Sequence, residues 1–154
     1  MDEQVWTRHL PPEPRAAAST VWRAEPTTLS DLAALRRQMS AAVCTHRAAV
    51  EDECIEWMLL AFEELTSNGV RHGRPPVQVS LTTSDAGWLL DVSDGAPEHP
   101  PTTAVGRDPA TGGMGLSLVA RTSAAHGWDV RGDRKHVWAK LETHGAATEA
   151  PAAG

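Results

Sequence analysis

At Gly73-Arg74-Pro75-Pro76 the spacing of apolar residues along the chain switches from a helical period to strict alternation. Before it, Val50, Cys54, Trp57, Met58, Ala61, Phe62 and Leu65 mark one stripe of a long helix, expected from about Ala48 to Val70. After it, Val77, Val79 and Leu81 alternate with polar neighbours. Trp88, Leu90 and Val92 do the same beyond a turn at Asp85-Ala86-Gly87. Glycine ends a helix through its freedom at the cap, and proline through its missing N–H. One apolar helical stripe and one apolar strand face have to cover each other.

The flanking segments extend this plan. Thr20–Ala24 reads as a short edge strand. Leu29, Leu32, Leu35, Met39 and Val43 recur at helical spacing behind a capping-box pattern, Thr28 with Asp31. Leu116, Val119 and Ala120 predict a helix from about Met114 to Ala125. Trp128–Val130 and Val137–Leu141 flank Gly132-Asp133 as a hairpin. The expected fold is an α/β two-layer sandwich, a mixed, mostly antiparallel sheet covered on one face by helices, with solvent on the other. Residues 1–18 and 143–154, rich in Pro and Ala, read as a flexible N-terminal arm and C-terminal tail around a domain at 19–142. Trp6, set in the polar arm, reads as a docking residue.

A formal charge of −6 with interspersed signs argues against direct nucleic-acid binding, since phosphate contacts need clustered positive charge. A small phosphate pocket built from backbone N–H groups and a divalent ion is still compatible with it. No run approaches the roughly 20 apolar residues of a membrane span, and the first residues lack the order of a secretory signal. Cys44 and Cys54, both in helical patterns, read as buried or part-buried thiols of a cytoplasmic protein.

Three segments carry chemistry. Glu64, Asn68 and His72 are four residues apart on the long helix and so share one stripe. The Asn68 carboxamide oxygen suits a hard cation such as magnesium, and Glu64 one turn earlier suits a general base. The same ladder also describes an ordinary solvated face. Asp94-Gly95-Ala96-Pro97 closes an apolar strand with an acceptor for an exocyclic amine and a glycine beside which a flat ring can lie. A plain Asp-Gly turn has the same look. Gly112-Gly113-Met114-Gly115-Leu116 opens the later helix, where converging N–H groups can hold an anion, or simply cap the helix. It is neither a Walker loop nor a dinucleotide fingerprint, lacking the lysine of one and the preceding strand of the other.

In their order, these segments resemble the Bergerat-fold ATP-binding superfamily. That group includes the ATPase modules of histidine kinases, gyrase-type topoisomerases and mismatch-repair proteins. Within it the chain is most similar to anti-sigma-factor serine/threonine kinases and their stand-alone actinobacterial relatives. Glu64-Leu-Thr-Ser-Asn68 matches the first motif, Asp94-Gly-Ala-Pro97 the second and Gly113-Met-Gly115-Leu-Ser-Leu-Val119 the third. Lys135-His-Val137-Trp138-Ala139 resembles the last-strand signature of the actinobacterial group. The likeness covers roughly residues 20–142.

The resemblance implies that ATP and Mg2+ are cofactors, with Asn68 as the metal ligand and Glu64 as the catalytic base. It implies that Asp94 reads the adenine amine, with Gly95 and Pro97 beside the ring. Gly113, Met114, Gly115 and Leu116 would lie along the phosphates, and His72 would line the helix near the site. Glu63 falls outside the motif and is taken as flanking. Residues 98–111 form the expected lid, with Arg107 as its only lysine or arginine. The implied activity is phosphorylation of a serine or threonine on an anti-sigma-factor antagonist. The implied partners are a sigma factor and that antagonist, and a homodimer through the helix after Thr28 is a further possibility. The alternatives are a non-catalytic ATP-sensing module and a detached histidine-kinase-like catalytic module.

Overall fold

The alternating segments become the middle of a five-stranded sheet. In the computed structural model, which describes residues 6–12, 18–46, 52–84, 87–101 and 114–142, the strands are β1 (Ser19–Ala24), β2 (Gln78–Ser84), β3 (Gly87–Asp94), β4 (Ala125–Arg131) and β5 (Arg134–Leu141). Their order is β1-β2-β3-β5-β4, and every neighbouring pair is antiparallel. The β4–β5 turn is the two-residue loop Gly132-Asp133. Gly132 has φ +63 and Asp133 is not at positive φ, as a type II′ turn requires.

Helices α1 (Leu32–His46), α2 (Asp52–His72) and α3 (Met114–Thr122) cover one face of the sheet. A short 3-10 turn, Leu29–Asp31, leads into α1, where the Asp31 carboxylate accepts from the Thr27 and Thr28 N–H groups at 2.9 and 3.0 Å. Cys54, Met58, Ala61, Phe62 and Leu65 of α2 are buried, as their spacing requires. They meet Leu81, Trp88, Leu90, Val92, Val137 and Ala139 from the sheet. Each fully buried aliphatic or aromatic side chain of this kind contributes about 1.5–3 kcal/mol. Among the described residues no helix is long and apolar enough to cross a membrane.

Three expectations change. Helix α3 stops at Thr122, short of Ala125, because Ala124 N–H turns to the Lys140 carbonyl at 2.8 Å and starts β4. Strand pairing takes residues that carry no apolar helical stripe. Cys44 is exposed rather than part-buried, while Cys54 is buried, and no disulfide joins them. The third change concerns the N-terminal segment. Trp6 is only 1% exposed and belongs to the core, so it is not a docking residue on a free arm.

Residues 6–9 wrap the β4 edge. Thr7 O accepts from Trp128 N–H at 3.2 Å, and Trp128 O accepts from His9 N–H at 2.9 Å, a parallel bridge centred on Arg8. On the helix side, Trp6 Nε1 donates to Leu116 O at 3.2 Å, with its ring edge-on to His126. On the opposite face, His9 O accepts from Trp138 Nε1 at 3.0 Å. The sheet face expected to meet solvent is therefore covered at Trp138, which is fully buried. Local composition pointed to a loose arm, but one tryptophan has enough apolar area to fix it. Val50, residues 85–86 and residues 143–154 lie outside the described part.

Candidate functional site

Two neighbouring stripes of α2 do different work. Leu65, Gly69 and Gly73, spaced by four, run along the sheet. Leu65 is buried, and a Cβ on Gly69 would sit 3.3 Å from Val77 Cγ1 and 3.5 Å from Val92 Cγ1. A Cβ on Gly73 would lie 2.5 Å from Asp94 Cγ and 2.6 Å from Gly69 O. Gly73 was expected to help end the helix through glycine's freedom at the cap. Instead it is absent from the positive-φ glycines, and its N–H bonds Gly69 O at 2.9 Å in helical fashion. Glycine is needed there because Asp94 lies against the helix backbone.

Asp94 ends β3 on the helix-facing side and is 1% exposed. Its Oδ1 accepts from Ala96 N–H at 2.7 Å, which folds the Asp94-Gly95-Ala96 turn back on itself. Its Oδ2 lies 3.4 Å from Lys135 Nζ, and Lys135 is 3% exposed. The chain just after α2 holds the same turn. Gly95 N–H donates to Arg74 O at 2.6 Å, and Arg74 Nη1 donates back to Gly95 O at 2.9 Å. A Cβ on Gly95 would come 3.2 Å from Pro75 O, so glycine allows this approach.

The stripe with Glu64 and Asn68 faces α3. A Cβ added at Gly115, in the first turn of α3, would fall on the Glu64 carboxyl group. Burial raises the Glu64 carboxyl above the usual carboxylate range, Glu63 adds to the rise and Arg71 opposes it. Asn68 is part-buried one turn on, while His72 at the last residue of α2 is exposed. Leu116 of α3 is buried, and its carbonyl oxygen accepts from Trp6 Nε1.

Two separated segments, the end of β3 and the first turn of α3, therefore converge on the C-terminal end of α2. Glu64 meets Gly115, and Gly73 meets Asp94, with Asn68 on the helix between these contacts. Pro97 directly follows the clamped turn and Leu116 directly follows Gly115. His72 is not drawn into this cluster. Gly113 and the Met114 side chain fall outside the described residues, as does Arg107 with lid residues 102–110.

The groups present suit an adenine nucleotide. A buried acceptor, Asp94, stands at one end and an α-helix with glycine in its first turn at the other, and a carboxylate whose protonated form burial favours lies near the second. Among the described residues no cluster of three or more His, Cys, Asp or Glu could hold a metal by itself. A magnesium ion here would take the Asn68 oxygen and complete its shell with waters and phosphate oxygens.

Two contributors went unsingled in the sequence. Arg74 was read only as part of a helix stop. Lys135 was read only as part of a strand signature, although it occupies the inward parity shared by Val137, Ala139 and Leu141. A charge at an inward strand position is a signal for a buried partner.

A family model described as a histidine kinase-like ATPase domain matches residues 26–141. No curated protein matches the chain.

Proposed function

This chain belongs to the histidine kinase-like ATPase domain family, and from that membership we propose that it is a regulatory kinase of the anti-sigma-factor type. ATP binding follows from the family itself. The finer reading is transfer of the ATP γ-phosphoryl group to a serine or threonine of an antagonist protein, in the cytoplasm. The observation that carries it is the placement of Glu64, a carboxylate with raised proton affinity, against Gly115 in the first turn of α3.

Asp94 and Gly95 receive the base, and Gly115 admits phosphate groups beside Glu64. Asn68 holds Mg2+, which neutralises charge on the phosphates when bound. Glu64 accepts the proton of the attacking hydroxyl as that oxygen bonds to phosphorus and ADP departs. Its raised proton affinity brings it closer to the working range of a general base.

The test combines calorimetry with transfer. Purified protein should bind ATP in the presence of magnesium and should move labelled γ-phosphate onto an antagonist-like protein as phosphoserine or phosphothreonine. Tight ATP binding with no transfer to any such acceptor would overturn the kinase reading and leave a nucleotide-sensing module.

A further inference from the structure

We infer that the sheet face turned away from the helices carries a second ligand site, one that takes the phosphate group of a small molecule. It is independent of the nucleotide site, which lies on the helix side. A cavity of about 480 Å³ opens on this face, within the roughly 300–1,000 Å³ of small-molecule sites. Its floor is built across strands. Arg23, Ser80 and Asp91 share one row of β1, β2 and β3, and Ser93 pairs with His136 on the next row. The serines are short, so the longer Arg23 and Arg131 side chains form walls beside them. Asp91 and His136 are sunk to 15% and 18% exposure, although strand alternation puts both on the polar face.

Donors in this cavity outnumber the acceptors that serve them. Asp91 is already engaged: Oδ1 takes His136 Nδ1 at 2.9 Å, and Oδ2 faces Arg131 Nη2 at 3.6 Å. Arg131 Nε also stands 3.6 Å from Asp129 Oδ2, and neither of its contacts is short enough for a hydrogen bond. The Arg23 guanidinium and the Ser80 hydroxyl have no hydrogen-bond partner among the described residues. Each guanidinium has five N–H donors to place. Ser93 Oγ accepts from Arg134 Nη2 at 2.8 Å, which leaves its own O–H to give. The Asp91 carboxylate holds a proton on His136 Nδ1, so Nε2 is an acceptor in the neutral ring and a donor in the charged one. A phosphate group matches this set. Its P–O oxygens accept from both walls and the floor, and a P–OH can give to Nε2. A carboxylate has fewer oxygens and, when ionised, no proton to give. Glu25 lies exposed at the rim, where water weakens its repulsion.

The probe is inorganic phosphate, titrated into the full chain without nucleotide at constant ionic strength and followed by backbone amide NMR shifts. The amides of Arg23, Ser80, Ser93 and His136 should move together and saturate with a dissociation constant on the order of 1 mM or tighter. Arg23→Gln removes a charged donor from an exposed position. It should weaken phosphate binding about tenfold or more, the loss expected of a hydrogen bond to a charged group, without lowering the melting temperature. Glycerol 3-phosphate separates the two sources of the group: tighter binding than phosphate assigns an organic phosphate, and weaker binding assigns the free ion. Acetate that binds as tightly as phosphate overturns the assignment, and so does an unchanged affinity in Arg23→Gln. Shifts confined to the amides of Gly115 and Leu116, or no saturable shift at all, overturn the site itself.

Discussion

The carboxyl end of Glu64 fills the space that a Cβ on Gly115 would need, so a side chain on α2 rests on the bare backbone of α3. Gly115 is not at positive φ, so its backbone does not demand glycine; the approach of Glu64 does. Gly115→Ala should leave the fold intact, because alanine favours a helix by about 1 kcal/mol over glycine and the obstructing group is the end of a mobile side chain. It should displace Glu64 and lower phosphotransfer by about 100-fold or more, the range of a mispositioned base. A melting curve and a transfer assay on the same sample test this. Unchanged transfer would show that the Glu64–Gly115 contact has no part in the chemistry.

Glu64→Gln separates charge from shape. Burial raises the folded-state proton affinity of Glu64 above that of the unfolded chain. Such a group favours folding at pH below the ordinary carboxylate range, and that contribution is lost as pH rises through the raised value. At neutral pH the ionised carboxylate is therefore a burden that Gln removes. The variant should melt higher than wild type at pH 7, by on the order of 1–3 °C. The gain should vanish at pH 3, where both carboxyls are protonated. Phosphotransfer should fall by about 100- to 10,000-fold if Glu64 is the base, with ATP affinity little changed. An equal gain at both pH values would contradict the charge argument.

Asn68 is the proposed metal ligand, and its contribution can be read without activity. Asn68→Ala should bind nucleotide in chelator as wild type does, and adding magnesium should no longer tighten binding. Calorimetry with and without the metal gives the answer. Full retention of the magnesium effect would move the ligand elsewhere.

The Gly73–Asp94 contact shows where local pattern and structure part. Helical stripe, strand alternation and the order of three motifs are all near-neighbour features, and they led to the right layers and elements. Glu64, Asn68 and Asp94 could be named because each belongs to a short recognisable segment. Gly73 could not be understood that way, because its reason for being glycine is a carboxylate 21 positions later, brought in by the packing of β3 on α2. Lys135 opposite Asp94 depends on strand register, which no short window contains. The end of α3 was misplaced for the same reason, since pairing with Lys140 recruits Ala124.

Gly73→Ala measures that contact. One obstructing atom is the Gly69 carbonyl oxygen, which belongs to the helix and cannot swing away, and the other is the Asp94 carboxyl group. Overpacking of this kind costs about 1–3 kcal/mol, to be read from urea unfolding. ATP affinity should also fall, because any relief must come from moving Asp94. A variant with wild-type stability and affinity would show that the helix and β3 are not held at this separation.

Trp6 tests whether the N-terminal segment is part of the folded unit. It lies outside the residues that match the family, yet it is in the core against Leu116. Trp6→Ala should lower stability by about 3–5 kcal/mol, the usual cost of removing a buried large aromatic. Trp6→Phe keeps most of the volume and loses the indole N–H, so it should cost the hydrogen bond to Leu116 O, about 0.5–1.5 kcal/mol, plus a smaller packing loss. Because Leu116 follows Gly115 on α3, both variants should also weaken ATP binding. Denaturant unfolding gives the first quantity and nucleotide titration the second. A chain lacking residues 1–12 that unfolds at the same urea concentration as the full chain would show that the wrap around β4 adds nothing to stability.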